Sequence, residues 1–334
     1  MLTTTVAGRT WDFVQAIGRN AAAGNGFTQP TDVACAGDGV MYVLSRGTEG
    51  AGGVVVENKR IGKVTMDNEL LGDFGRREFV WPASLAVDSE KNLYCTDEHL
   101  NFVAKYDSDG QRLGQWGEVG AGEGQFTAPS GLCFDKDDNV YIVDTGNNRI
   151  QKYTKDGQFL SQWGSAGSGD GQFNAPWGLT IDPKGDVYVA DFANNRVQKF
   201  SPDGTHLMNF GSSNGSATDL DHPADVAVDS EGDVYISDWG NKRVQIYDPD
   251  GTELTSLWGD AIEFSKWAKE VVDANPDVIK AYRRVDDKTP LGRFERPVGL
   301  AIDEKDRLIV TDSTRGRIQI YQKESNFMDA QFNL

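Results

Sequence analysis

Short apolar stretches alternate with polar turns along nearly the whole chain, and the alternation itself recurs. In residues 176–211, "PWGLTID", "VYVAD", "RVQKF" and "THLMNFG" alternate apolar and polar positions with period two. "PKGD", "FANN" and "SPDG" separate them. Such runs, bounded by Gly, Pro, Asn and Asp, predict a four-stranded antiparallel meander.

The opening phrase of that unit returns as "FTQPTDVACA", "VWPASLAVD", "FTAPSGLCFD", "DHPADVAVD" and "FERPVGLAID". Its prolines are Pro30, Pro82, Pro129, Pro176, Pro223 and Pro297, at spacings of 52, 47, 47, 47 and 74. The unit is therefore 47 residues long, with 5 extra residues in the first copy and 27 in the fifth. A lone four-stranded sheet cannot bury both faces, whereas six set radially can. The expected fold is all-β, a six-bladed β-propeller forming one domain over residues 1–334. Fourth strands end in an apolar residue plus Gly, as at Trp116-Gly117 and Trp163-Gly164, and Ile17-Gly18 is a further copy ahead of the first blade. The N-terminal strand should thus close the last blade near "RIQIYQK" at 317–323, with the tail "SNFMDAQFNL" a competitor for that place.

Between Trp258 and Pro297 the period changes from two to 3.6. Phe264, Trp267, Ala268, Val271 and Val272 share one helical stripe. Asn275-Pro276 suits the cap and first turn of a second helix carrying Val278, Ile279, Tyr282 and Val285. Residues 260–290 are expected to form a helical, lid-like insert on the top face, over or beside the pore, or a buttress on its rim.

Composition narrows the function. Against 51 Asp and Glu stand 33 Lys and Arg, for a net charge of −18. That charge repels phosphate backbones, so nucleic acid is not an expected partner. No window approaches the ~18 apolar residues of a membrane span. The N-terminal stretch lacks a basic segment followed by an apolar one, so no secretory signal is expected. Cys35, Cys95 and Cys133 sit in apolar strand-like runs and read as core filler, consistent with a cytoplasmic location.

The units resemble NHL repeats, whose Pro-x-Gly/Asp-hydrophobic and Asp-x-x-Asn-x-Arg-hydrophobic patterns match over about residues 10–325. The resemblance implies the propeller fold but leaves function open, because such propellers serve as RNA binders, protein scaffolds, lyases and hydrolases. The RNA-binding branch uses a basic top face, which this acidic chain does not resemble. Among the enzymes, "TDEHLNFVAKYD" resembles in position a segment of the peptidyl-hydroxyglycine amidating lyases. That family binds zinc through histidines following the blade-opening prolines. Here those positions hold Thr31, Ala83, Ser130, Trp177, Ala224 and Val298. Resemblance to six-bladed lactonases implies instead a calcium held by axial carboxylates. Asp32, Glu98, Asp144 and Asp225 could supply the oxygens, with His99 as general base.

Strand direction places the Asp-x-x-Asn-Asn-Arg turns and the Pro-x-Gly openings on one face, the top. Asp144, Asp191, Asp238 and Asp312 recur there as turn-formers, with Arg149, Arg196, Arg243 and Arg317 to pack and pair with them. Departures from the repeat mark the candidate site. Blade one has Ser45 and Arg46 in place of the Asp turn, and blade two has Glu98 and His99, with Phe102 in the Arg position. Blade five carries His222 and Asp225, and Asp32 matches Asp225 in blade one. Trp177, Phe192 and Trp239 add aromatic surface. The expected function is hydrolase or lyase chemistry on a small polar molecule in a top-face central pocket, catalysed by His99, Glu98, Arg46 and Asp225. Trp177, Phe192, Trp239, His222 and Asp32 would bind substrate, with no cofactor or a divalent metal, calcium before zinc. The alternative is a non-catalytic scaffold gripping a protein or peptide.

Overall fold

The computed structural model describes residues 3–48, 58–211 and 219–325. They form six antiparallel blades of four strands around an axis. Blade 1 is Pro30–Gly37, Val40–Ser45, Arg60–Thr65 and Leu70–Phe74. Blade 3, typical of the rest, is Pro129–Phe134, Asn139–Asp144, Arg149–Thr154 and Phe159–Trp163. The expected propeller is therefore the observed one.

Closure also follows the expectation. The last blade holds Pro297–Ile302, Arg307–Asp312 and Arg317–Ser325, and the N-terminal strand Arg9–Gly18 is its fourth. The register pairs Gly18 with Arg317, Ile17 with Ile318 and Arg9 with Ser325. Thr3–Val6 adds a fifth strand outside it. Trp11, 1% exposed, donates its indole N–H to the Tyr235 hydroxyl in blade 5 at 3.0 Å. The rival tail beyond Ser325 and the blade-one loop beyond Thr48 lie outside the described residues.

Alternation works as the period implied. Each strand sends its apolar side chains into a layer shared with a neighbouring blade, such as Tyr141, Val143 and Ile150 against Phe173, Leu179 and Val187. A residue three before each blade-opening proline plugs each layer: Phe27, Phe79, Phe126, Phe173, Leu220 and Phe294 are all buried. The Gly ending each fourth strand makes room for that plug. A Cβ on Gly164 would stand 2.6 Å from Phe173, and one on Gly18 2.6 Å from Phe27. Gly18 also has φ +106°, a conformation L side chains rarely adopt.

The top turns are built on buried carboxylates. Asp144 accepts the Thr127 N–H at 2.7 Å, the Arg149 Nε–H at 2.8 Å, and amide hydrogens of Asn147 and Gln151. Asp191 repeats this with Asn174, Arg196, Asn194 and Gln198. The second Asn of each turn takes the left-handed conformation, and its side chain accepts from the next blade: Asn148 from Ala175 and Asn195 from His222, each at 2.8 Å. In blade 1, Ser45 replaces the Asp and Arg60 turns to Asp73 at 2.5 Å. In blade 2, Phe102 replaces the Arg, and Asp97 is satisfied by the N–H groups of Val80, Trp81, His99 and Leu100.

Around the axis, the second residue after each proline forms an inner ring: Asp32, Ser84, Gly131, Gly178, Asp225 and Gly299. Asp32 accepts from the Ser84 hydroxyl at 2.6 Å and from the Leu85 and Val33 amides. Asp225 accepts the Leu300 N–H at 2.8 Å. The glycines leave space for these carboxylates, since a Cβ on Gly178 would come within 2.2 Å of Asp225 Oδ1. The axis narrows here to about 20 Å³ and widens below into a channel of about 310 Å³. Burial pushes the Asp32 carboxyl up to about 6 despite its three donors. Burial and the nearby charge of Asp32 raise Asp225 well above the usual carboxylate range.

The insert contains α1 (Lys266–Asp273), capped by Ser265, and α2 (Pro276–Arg283), capped by Asn275. A one-turn α3 spans Thr289–Gly292. Of the predicted stripe only Trp267 is buried, in the layer holding Ile17, Phe27 and Ile318. Its indole N–H reaches the Asn68 carbonyl at 2.8 Å. α1 packs on the outer strand Arg9–Gly18, which places it at the rim. None of the described helices is long and apolar enough to cross a membrane.

Two measurements test this architecture. Gly18→Ala should lower unfolding free energy by at least about 1 kcal/mol, because it strains φ and meets Phe27. Gly72→Ala, in open space, should be neutral or up to ~1 kcal/mol stabilising. Equal effects in denaturant titrations would overturn closure by the N-terminal strand.

The second concerns pH. Both inner-ring carboxyls titrate higher folded than unfolded, so the stability linked to their protons is complete below ~pH 4. It is lost as pH rises through about 6 for Asp32 and higher for Asp225. Asp225→Asn keeps an acceptor for Leu300 and removes one charge. It should change stability little at pH 5 and raise it by at least about 1 kcal/mol at pH 8. A variant with a wild-type pH profile would show that the two carboxyls do not interact.

Candidate functional site

Above the inner ring, three columns of the repeat converge on the top face. One is the residue after each proline, which includes Trp177. A second is the residue after each Asp-position turn, which includes Arg46, Glu98, Phe192 and Trp239. The third precedes each proline and includes Trp81, His222 and Arg296. The turns below hold these positions in register from blade to blade.

Their side chains form a contact chain across five blades. Trp177 lines the constriction with its ring 5.3 Å from Phe192. Phe192 lies 4.8 Å from the His222 ring and 5.9 Å from Trp239. The Arg296 guanidinium stands 4.7 Å over Trp239. Arg46 follows in blade 1, and its Nη2 donates to Glu98 Oε2 of blade 2 at 2.6 Å. The mouth thus passes from an aromatic wall, through two cations, to one carboxylate.

Several donors there have no acceptor. Among the described residues, Arg46 Nη1 and Trp239 Nε1 are buried and unpaired. Among the described residues the Arg296 guanidinium meets no carboxylate, only the Trp239 face. Burial first, and then the charge of Arg46, hold the Arg296 guanidinium below its ordinary range. Two guanidiniums close enough to repel, with donors left over, form an anion-accepting arrangement. Beside them, His222 Nδ1 lies 2.5 Å from Asp221 Oδ1. That bond fixes the imidazole and leaves Nε2 as the nitrogen able to exchange a proton.

Placement sorts the predicted residues. Arg46, Glu98, Trp177, Phe192, Trp239 and His222 share the mouth. Asp32 and Asp225 lie in the constriction beneath it, holding amides of the next blade. His99 is on the same turn as Glu98 but exposed, its ring edge-on to Trp81 at 5.1 Å. Glu98 and His99 therefore do not act as a pair, because consecutive residues of the turn point to different neighbours.

The calcium set needs correction. Asp144 is fully committed to Thr127, Asn147, Arg149 and Gln151, and Glu98 to Arg46. Among the described residues no group of three or more His, Cys, Asp or Glu side chains could hold a metal ion. Asp32, Glu98, Asp144 and Asp225 thus do not gather around one point. Arg296 and Asp221 were not anticipated. Arg296 directly precedes Pro297, in the column of His222, and Asp221 lies two residues before Pro223.

Comparison with known proteins agrees with the fold. The family model "NHL repeat" matches residues 126–153, 173–200, 220–247 and 294–321. No curated protein matches the sequence significantly. Among solved structures, a structural-genomics protein of unknown function from Bacteroides thetaiotaomicron superimposes with TM-score 0.66 at 17% identity, over 95% of this chain and 76% of that one. Virginiamycin B lyase from Staphylococcus aureus gives 0.59 at 11%, over 93% and 99%. A gluconolactonase from Xanthomonas campestris gives 0.59 at 15%, over 94% and 99%. At these identities the likeness is one of fold. With four matched NHL repeats and six observed blades, the chain is a six-bladed β-propeller that carries NHL repeats.

Proposed function

We propose that the top-face mouth binds a small organic anion and that the protein acts on it as a hydrolase or lyase. The observation that carries this reading is the convergence of unpaired donors from Arg46, Arg296 and Trp239 on a chain of net charge −18. Arg46 Nη1 and Trp239 Nε1, buried without partners among the described residues, each cost about 1–3 kcal/mol, and an anionic group supplies acceptors for both. Trp177, Phe192 and Trp239 would cover the ligand's apolar part. Likeness in fold to a lyase and a gluconolactonase is compatible with either chemistry.

In this reading the base is His222 rather than His99, because His222 Nδ1 is held by Asp221 while the His99 ring rests against Trp81. With Nδ1 held by Asp221, His222 Nε2 can take a proton from water as its oxygen bonds to a carbonyl carbon and the π electrons move to the carbonyl oxygen; the leaving group then departs with its bonding electrons and takes the proton from His222. In an elimination it would take the proton from carbon while the leaving group departs with its bonding electrons. Negative charge developing on the substrate would lie near Arg46 and Arg296. Glu98 holds Arg46 through Nη2, which keeps Nη1 directed for use.

A thermal-shift panel of carboxylates, phosphate monoesters and neutral analogues tests binding. Anions should stabilise the protein, by about 2.7 kcal/mol at 100 times Kd, and neutral isosteres should not. Arg296→Ala and Arg46→Ala should each weaken the best ligand at least about tenfold. Turnover of that ligand should fall at least about tenfold in His222→Ala and less than about twofold in His99→Ala. No anion-specific shift would leave the scaffold reading, and equal losses in the two histidine variants would return the base to His99.

A further inference from the structure

The long insert is larger than closing blade 6 requires. Arg317 donates to the carbonyls of Ala261, Leu291, Gly292 and Arg293, and Gln319 to Gly292. In blade 3, Arg149 and Gln151 make the same kind of bonds to Ala121, Gly122 and Gln125 in a short loop. The stem of the insert therefore already does what the short loops do. Residues between its two ends bury one large side chain, Trp267, and leave Ile262, Phe264, Val271, Val278 and Val285 exposed.

What the extra residues do build is a cleft of about 480 Å³ between the insert and the top corner of blade 6. That volume is in the range of small-ligand sites, roughly 300–1,000 Å³. One wall is apolar, with Ile262, Leu291, and Phe264 packed on Tyr282 at 4.4 Å between ring centres. The Tyr282 hydroxyl donates to the Ile262 carbonyl at 3.0 Å, which fixes this wall. The facing wall holds Arg19, Arg315 and Arg317.

Charge decides what such a cleft accepts. Arg317 is paired with Asp312 at 3.1 Å. Glu295 is paired with Lys242 at 2.6 Å and lies 3.7 Å from Arg315. Among the residues lining the cleft, Arg19, Arg315 and Arg317 stand against Glu263 and Glu295, an excess of one positive charge. Among the described residues Arg315 Nε is buried without a partner, while its Nη2 donates to the Pro290 carbonyl at 2.9 Å. A cation anchored at one end with a donor to spare, opposite an aromatic pair, suits an anion attached to a flat apolar body.

We propose that this rim cleft is a second ligand site, separate from the mouth, for a small amphipathic organic monoanion. Its anionic group pairs with Arg315, and its apolar body lies on Phe264 and Tyr282. The site does not depend on the reading of the mouth, because none of its residues belongs to the mouth columns.

The probe is 1-anilinonaphthalene-8-sulfonate, a naphthalene body carrying one sulfonate, titrated by fluorescence with 4-phenylbutyrate as competitor. Expected is one saturable, competable site, weakened at least tenfold by Arg315→Ala and by Phe264→Ala and changed less than twofold by Arg296→Ala. Arg315→Lys should restore part of the affinity, which a purely structural loss would not. Non-saturable binding, or equal affinity in Arg315→Ala and wild type with unchanged circular dichroism, overturns the proposal. Loss in Arg296→Ala alone would assign the probe to the mouth and overturn it equally.

Discussion

The top face rests on one interaction: a buried aspartate at the end of the second strand in five of the six blades, which collects donors from the incoming loop, the turn and the third strand. Asp144 joins the incoming loop through Thr127, the turn through Asn147, and the third strand through Arg149 and Gln151. Burying a carboxylate is expensive, and a full set of charge-assisted bonds is what makes it tolerable. Removing one partner would leave a buried charge uncompensated, at a cost of about 3–5 kcal/mol. Because the node is rigid, the residue just after it occupies a fixed place whatever its side chain. The repeat can therefore vary Arg46, Glu98, Phe192 and Trp239 while leaving their backbone positions alone.

Two blades show how the node survives change. With Ser45 in place of Asp, Arg60 finds its anion in Asp73 and its remaining acceptors in Gly24 and Gly26. With Phe102 in place of Arg, Asp97 relies on backbone N–H groups, and Arg112 crosses the Phe102 ring at 5.4 Å. These are the blades that contribute Arg46 and Glu98. Departures in the shared turn are local rewirings whose product is a new side chain at the mouth.

The fold was legible because every blade restates the same alternation, the same prolines and the same terminal Gly. The candidate site was legible only in part. Arg46, Glu98, His222 and the aromatic residues stand out as breaks in a column. Arg296 does not, since its column has no consensus: Gln29, Trp81, Ala128, Ala175 and His222 precede the other prolines. His99 shows the opposite error. Being ionisable and beside Glu98 suggested partnership, but a turn sends neighbouring side chains apart, and His99 ends against Trp81. The insert's period revealed helices, yet α1 needed to bury only Trp267 to anchor, so most of the predicted stripe stays in solvent.

Glu98 decides how the mouth works as an anion site. A carboxylate beside two guanidiniums could be taken to cancel them. The geometry argues otherwise, because Glu98 engages Nη2 of Arg46 while Arg296, among the described residues, meets only the Trp239 face. Half-buried and paired at 2.6 Å, it restrains a long side chain that would otherwise lose rotamer freedom on binding a ligand. Arg46 Nη1 and the Trp239 N–H keep no partner among the described residues, and Arg296 is held over the Trp239 ring. The chain carries a net charge of −18, so a cluster of cations such as this one stands against an acidic background. Specificity would come from that contrast as much as from the contacts: an anion meets repulsion over the disc and acceptors' partners at the mouth, while a neutral molecule is offered donors it cannot fully satisfy.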